Sequence, residues 1–382
     1  MLVNVLLLSV FSAGVYAAVV SNASPKYSGL GTAQKPQSLL SRLDTLGKPA
    51  PVPTAAQFLD PDGVYFGAAT QQAPFSASEV QDVTASAGAA PSMTEYFVKW
   101  TQPFDPAAVA DAYRHGTLPV ISWEPWSGGV ENNGALAGSI PKANIDQPQY
   151  KLSNIYGGKF DAYITTFAKA VAADKWPVAL RFAHEMNGVW YPWSEQVNGN
   201  APGDYVKAWQ HVHDLFQQAG ATNVIWVWSP NIIRPVPHTS LAQLYPGDKY
   251  VDWIGLTGYG VNETSADQTF DPTLKELAGF TRKPVLITET GAQPGADKTE
   301  WISSFFPWLQ QHPDVIGYIW TEKDQQSGAN ADWRYSDTPA DQAAFAKGLK
   351  SLKLATGLSS AHPASSHAAS SAPASSAPAG GR

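Results

Sequence analysis

Two stretches of the 382-residue chain carry a glutamate where an apolar run gives out. In PVALRFAHEMNG (177–188) a strand-like run is followed by His184, Glu185 and Asn187, and in PVLITETG (284–291) Glu289 stands between Thr288 and Thr290. Two carboxylates that meet in one cleft from different strands can cleave a glycosidic bond. One, kept protonated, donates to the leaving oxygen while the other attacks the anomeric carbon; a separation of about 5 to 5.5 Å gives retention of configuration. The surroundings suggest the roles. Glu185 is followed at once by Trp190, Tyr191 and Trp193, and apolar surroundings raise a carboxyl pKa, as a general acid requires. Glu289 has hydroxyl neighbours, and Tyr259 arrives from the preceding strand; a phenol donating to its carboxylate would aim it as a nucleophile. A zinc-protease reading of His184-Glu185 fails, because that motif needs a second His at position 188, where Gly188 stands, and a helix to carry both.

The elements that must position these residues repeat regularly. Strand-like runs occupy 63–69, 93–100, 118–125, 177–185, 223–230, 251–260, 284–291 and 315–323, each short, β-branched or aromatic, and bounded by Gly, Pro or polar turns. Helical periodicity or capping signals fall between them at 105–116, 159–174, 203–220 and 298–313. Alternating strands and helices predict a parallel sheet covered by helices, and eight such units predict an α/β fold, the (β/α)8 TIM barrel, in a single catalytic domain over residues 61–354. An open doubly wound sheet would carry a glycine-rich phosphate turn after its first strand, and GVYFGAATQQ is not one.

A barrel places its chemistry at the C-terminal ends of the strands. There the sequence sets Trp123 and Glu124, His184 to Asn187, Tyr259, Glu289 and Trp320, while the strand starts carry no comparable cluster. Strand parity puts Arg181 and Glu185 on one face, with Arg181 a layer below, and turns His184 to the other face as a supporting residue. Asn187 is read either as a contact to a substrate hydroxyl or as a loop brace.

Charged residues make up only 15% of the chain, the net charge is -7, and no Lys/Arg run appears, which argues against nucleic acid as a partner. The absence of cysteine excludes disulfides and thiolate chemistry. Residues 1–20 are apolar and uncharged and read as a signal peptide, or as an uncleaved membrane anchor, which predicts a secreted, extracellular or periplasmic protein. Residues 21–60 read as a linker or wrapping arm, and 355–382 as a disordered Ser/Ala/Pro-rich tail. Asn22 and Asn262 head glycosylation sequons. The expected partner is a polysaccharide, the expected state a monomer, and no cofactor or metal is implied.

Residues 177–193, 246–260 (PGDKYVDWIGLTGYG), 284–291, ISWEPW (121–126) and the Trp320 strand together resemble glycoside hydrolase family 26 over about residues 60–350. The resemblance implies a retaining endo-β-glycanase with Glu185 as acid/base and Glu289 as nucleophile. It also implies His184 and Tyr259 in support, and Trp190, Trp193 and Trp320 as sugar platforms. Mannan-cleaving members of that family carry a His in the loop after strand 3 and an Arg after the strand 8 Trp. This chain has Trp123-Glu124-Pro125-Trp126 and Thr321 at those places, so β-1,4-mannan and mixed-linkage β-1,3-1,4-glucan both stay open. An exopolysaccharide-processing hydrolase and a non-catalytic polysaccharide-binding barrel are the other readings.

Overall fold

The computed structural model describes residues 52–129, 141–236, 239–263 and 265–355. Eight parallel strands close a barrel in sequence order: β1 (Tyr65–Ala69), β2 (Met93–Lys99), β3 (Leu118–Glu124), β4 (Val178–Phe182), β5 (Val224–Trp228), β6 (Trp253–Thr257), β7 (Val285–Thr290) and β8 (Val315–Thr321). Around it, among the described residues, lie the longer helices α1 (Ala77–Ala87), α2 (Pro106–Arg114), α3 (Asp161–Asp174), α4 (Asp204–Gln218), α5 (Ala266–Leu277), α6 (Lys298–Gln311) and α7 (Pro339–Leu349). The TIM barrel expected from the sequence is therefore the fold.

Local chemistry sets the helix starts. The Asp105 carboxylate accepts from Ala107 N at 2.9 Å with Pro106 in the first turn of α2, and Thr338 caps α7 in the same way ahead of Pro339. Helices α1, α5 and α7 have no counterpart among the expected helices. α1 has a thin apolar face, with Val83 and Ala87 its buried residues, and α5 contains Pro272; both features weaken the periodic signal.

The 14 tryptophans mostly serve the layer between barrel and helices. Trp123 lies 4.5 Å from Phe167 and 5.7 Å from Phe216, Trp226 lies 5.9 Å from Trp209, and Trp320 lies 5.0 Å from Phe345, centroid to centroid. These outward residues alternate with inward Ser122 on β3 and Arg181 on β4, the parity a strand imposes. A large ring suits the outer layer, where its indole N–H finds a carbonyl, as Trp228 does at Leu244 O (3.1 Å).

Beneath the barrel, Phe58 is buried and its carbonyl accepts the Tyr65 hydroxyl at 3.0 Å. Val64 bonds Lys353 and Ala355 through its backbone, joining the two ends of the domain. No described helix is long and apolar enough to cross a membrane. The expected signal peptide or anchor (1–20), most of the arm (21–51), the Asn22 sequon, Thr264 of the Asn262 sequon and the tail beyond residue 355 lie outside the described residues.

Candidate active site

The expected strand 4 (177–185) ends early, at Phe182, because Ala183 (φ 45°) and Glu185 (φ 54°) turn into the left-handed region. That conformation is uncommon for residues with a Cβ and is held only where surroundings dictate it. Here the surroundings are a set of hydrogen bonds to the kink. Ala183 N donates to Trp123 O (3.1 Å), and the Tyr205 hydroxyl of α4 donates to Ala183 O (3.1 Å). The Trp193 indole donates to His184 O (2.7 Å), and Glu185 N donates to Ser229 O (2.7 Å). The kink swings Glu185 over the barrel mouth.

The Glu185 carboxylate is held from two sides. The Trp190 indole donates to Oε2 at 2.5 Å, and Asn231 Nδ2 donates to Oε1 at 3.1 Å. Asn187 stands one step behind: its amide exchanges a pair of 2.8 Å bonds with the Asn231 backbone, so of its two expected roles the structure shows the loop brace. Trp190 reaches Glu185 by lying on Gly188, where an added Cβ would come within 2.4 Å of the indole. Burial raises the Glu185 pKa, and repulsion from Glu289 raises it further, against Arg181 and the two donors.

Glu289 stands at the end of β7. Its Oε1 accepts from Arg181 Nη1 at 2.5 Å and its Oε2 from the Tyr259 hydroxyl at 3.0 Å. The phenol has one proton to give; with that on Glu289, the Thr321 hydroxyl 2.8 Å away donates to the phenol oxygen. Trp333 covers the Tyr259 ring at 4.5 Å.

Arg181 is the hub beneath. Fully buried, it donates to Ser229 Oγ (2.8 Å), Ser122 Oγ (3.0 Å), Glu95 Oε1 (3.1 Å) and Thr257 Oγ1 (2.5 Å) besides Glu289. Burial alone would favour the neutral form, but Glu289, Glu95 and Glu185 outweigh it and raise its pKa. Glu95, buried midway along β2, has its pKa raised to about 8 by burial, against the pull of Arg181. Glu95, Asn231, Thr321 and Trp333 were not among the expected site residues. For Glu95 a signal existed: a lone carboxylate at an inward position of an otherwise uncharged run, MTEYFV.

Other expected residues fall elsewhere. His184 is buried, edge-on to Phe97 (5.9 Å) and 3.3 Å from the Tyr191 hydroxyl, and burial lowers its pKa well below the usual range, so it is neutral. Glu124 is buried at the end of β3, and burial lifts its pKa to about 7. Trp193, Trp320 and Trp123 are 0% exposed and turn from the cleft. Trp193 is committed to the His184 carbonyl, Trp320 to Trp333 O (2.9 Å) and Trp123 to the α3 layer. None of the three offers a ring face to a sugar, contrary to the platform role expected of Trp193 and Trp320, because the outer parity of β3 and β8 and the kink carbonyl claim them. Trp190 alone of the expected platforms borders the cleft, half-buried. Among the described residues no group of three or more His, Cys, Asp or Glu is placed to hold a metal ion.

The arrangement is two carboxylates over one mouth, one buried among aromatics with a raised pKa and the other fixed by a guanidinium and a phenol. The chain matches the model of glycosyl hydrolase family 26 over residues 110–336. It is 32% identical over 283 residues to Endoglucanase H of Acetivibrio thermocellus, covering 70% of this chain and 27% of that protein. It is 25% identical over 214 residues to Beta-1,3-xylanase TXYA of a Vibrio species, covering 49% and 43%. The chain thus spans less than half the length of either relative. Its fold matches the GH26 beta-mannanase BoMan26A from Bacteroides ovatus, with a TM-score of 0.56 at 19% identity over 77% of this chain and 90% of that one. With the matched region covering more than half of its length, the chain belongs to glycosyl hydrolase family 26.

Proposed function

We propose that this protein is a secreted retaining endo-β-glycanase acting on mixed-linkage β-1,3-1,4-glucan. The observation that carries the mechanism is the asymmetry of the two carboxylates. Glu185, its pKa raised by burial, is suited to hold a proton for the leaving oxygen. Glu289, with both oxygens accepting hydrogen bonds from Arg181 and Tyr259, is fixed to attack the anomeric carbon. In the first step the C1–O bond breaks as the Glu289–C1 bond forms, and the Glu185 proton passes to the departing oxygen. In the second, Glu185 takes a proton from water, whose oxygen displaces Glu289 and restores the configuration.

Glucan is favoured over mannan by the likeness to Endoglucanase H and by Glu124 and Thr321, which stand where the mannan-cleaving pattern has His and Arg. Export rests on the apolar segment 1–20. The test is release of reducing ends from lichenan, mannan and β-1,3-xylan by wild type and Glu289→Ala, with the first-formed anomer followed by NMR. Activity on lichenan with a β product, lost in the variant, is expected. Near-normal activity of Glu289→Ala, or a first-formed α product, would sink the mechanism; preference for another polymer would overturn the substrate.

A further inference from the structure

A groove of about 330 Å³ leaves the barrel mouth on the side away from Trp190. Its origin is a mismatch in strand length. β1 stops at Ala69 and pairs with β2 only through Gly67 and Ala68, whereas β2 runs on to Lys99. The far half of β2 therefore has no strand beside it on that side, and the loop after β1 stands off to form the opposite wall. Thr70, Gln71 and Phe75 line that wall, and Glu95, Phe97 and Lys323 line the floor and inner end.

Three side chains in this groove are left in states that ordinary folding does not explain. Phe75 is 53% exposed, and it is the one Phe, Tyr or Trp among the described residues that is predominantly in solvent. The Lys323 ammonium lies 5.5 Å from the Phe97 ring centroid and makes no ion pair with a described carboxylate. Its neighbour Asp324 pairs instead with Arg334 (3.3 Å). Glu95 is wholly buried, with Oε1 turned to Ser122 and Arg181 and Oε2 without a partner. A buried polar atom without a partner is costly and calls for an explanation.

We propose that this groove binds the glycosyl units of the substrate on the non-reducing side of the cleaved bond, with Phe75 as the outer sugar platform and Lys323 as the inner hydroxyl donor. The inference rests on the endo-glycanase reading above and adds to it the residues that grip the chain. The side follows from connectivity. Glu289 attacks the sugar that keeps its anomeric carbon on the enzyme, and Arg181 Nη1 bridges Glu289 and Glu95, so the groove opens beside the nucleophile. Trp190 and Asn231 border the other side, where Glu185 releases the leaving group. An exposed ring at the outer end and two polar groups, Lys323 and Glu95, at the inner end suit a neutral sugar chain, which offers an apolar ring face and vicinal hydroxyls.

The test compares wild type, Phe75→Ala and Lys323→Ala on β-1,3-1,4-gluco-oligosaccharides of three to six units. Thermal melts confirm that each variant is folded, and binding of the hexasaccharide is followed by calorimetry. In wild type, kcat/KM should rise with length; in each variant the loss should grow with length, reaching roughly three- to tenfold at the hexamer for Phe75→Ala. If wild type cuts the ladder and both variants keep its full length dependence, the groove assignment is overturned while the enzyme reading stands. If wild type cuts nothing but binds the hexamer, and Phe75→Ala weakens that binding, the enzyme reading fails and the groove stands. Neither cutting nor Phe75-dependent binding would overturn the groove.

Discussion

Replacing Trp190 with Phe removes one hydrogen bond from Glu185 and leaves a ring of similar shape on Gly188. The indole N–H can only donate, and it donates to Oε2 at 2.5 Å, which favours the ionised carboxylate. Its loss makes ionisation harder, so a higher pH is needed to strip the acid of its proton. A hydrogen bond to a charged group contributes about 1.5–3 kcal/mol, part of which survives in the protonated form and through the Asn231 bond that remains. With one pKa unit equal to about 1.36 kcal/mol, the alkaline limb of kcat/KM should move up by about one pH unit. That limb reports the free enzyme and belongs to the Glu185–Glu289 pair as a coupled system, so the comparison is between whole profiles on one substrate. Asn231→Ala should move the limb the same way. An alkaline limb that stays put, or falls to lower pH, in Trp190→Phe would refute the assignment of Glu185 as the acid held by these donors.

Tyr259→Phe removes the phenol that fixes Glu289 Oε2; kcat should fall roughly ten- to hundredfold with little change in melting temperature, and an unaltered kcat would show that Glu289 does not depend on it. Arg181→Ala leaves Glu95 and Glu289 without their shared cation inside the barrel; urea unfolding should show a loss of roughly 3–5 kcal/mol, and a loss under 1 kcal/mol would contradict the hub. Trp320→Phe should lower the melting temperature, because the ring is buried against Phe305 and Phe345, while KM stays at the wild-type value; a several-fold rise in KM would restore Trp320 to the sugar site.

The architecture was legible because strand periodicity and strand-end placement depend on short-range sequence; Glu289 follows that parity on β7, whereas Glu185 is carried over the mouth by a left-handed turn that a parity count does not contain. The tryptophans were misread for a related reason. Parity assigns a face within a strand, as it sets Trp320 on the outer side of β8, but a residue in the loop beyond is free to be taken by whatever carbonyl or ring lies near, as Trp193 is by His184 O. The contacts of Arg181 with β2, β3, β6, β7 and Ser229 just past β5 span up to 108 positions in sequence, and no local pattern announces them. Asn231 was visible only as a strand-end residue, since its role depends on Asn187 meeting it 44 positions away.

The left-handed turn at Ala183 and Glu185 makes the enzyme's aim and its robustness opposing quantities. Each such residue carries a cost on the order of 1–3 kcal/mol, and Ala183→Gly would remove part of it locally. The same change would widen the range of directions in which Glu185 can point, since the turn is what lifts that carboxyl off the strand. Selection for heat tolerance alone would thus find an easy gain at position 183 and lose catalytic precision by taking it. Improvement that keeps both must come through the groups that clamp the turn from outside, the Tyr205 hydroxyl and the Trp193 indole, where firmer packing holds the bend without softening it.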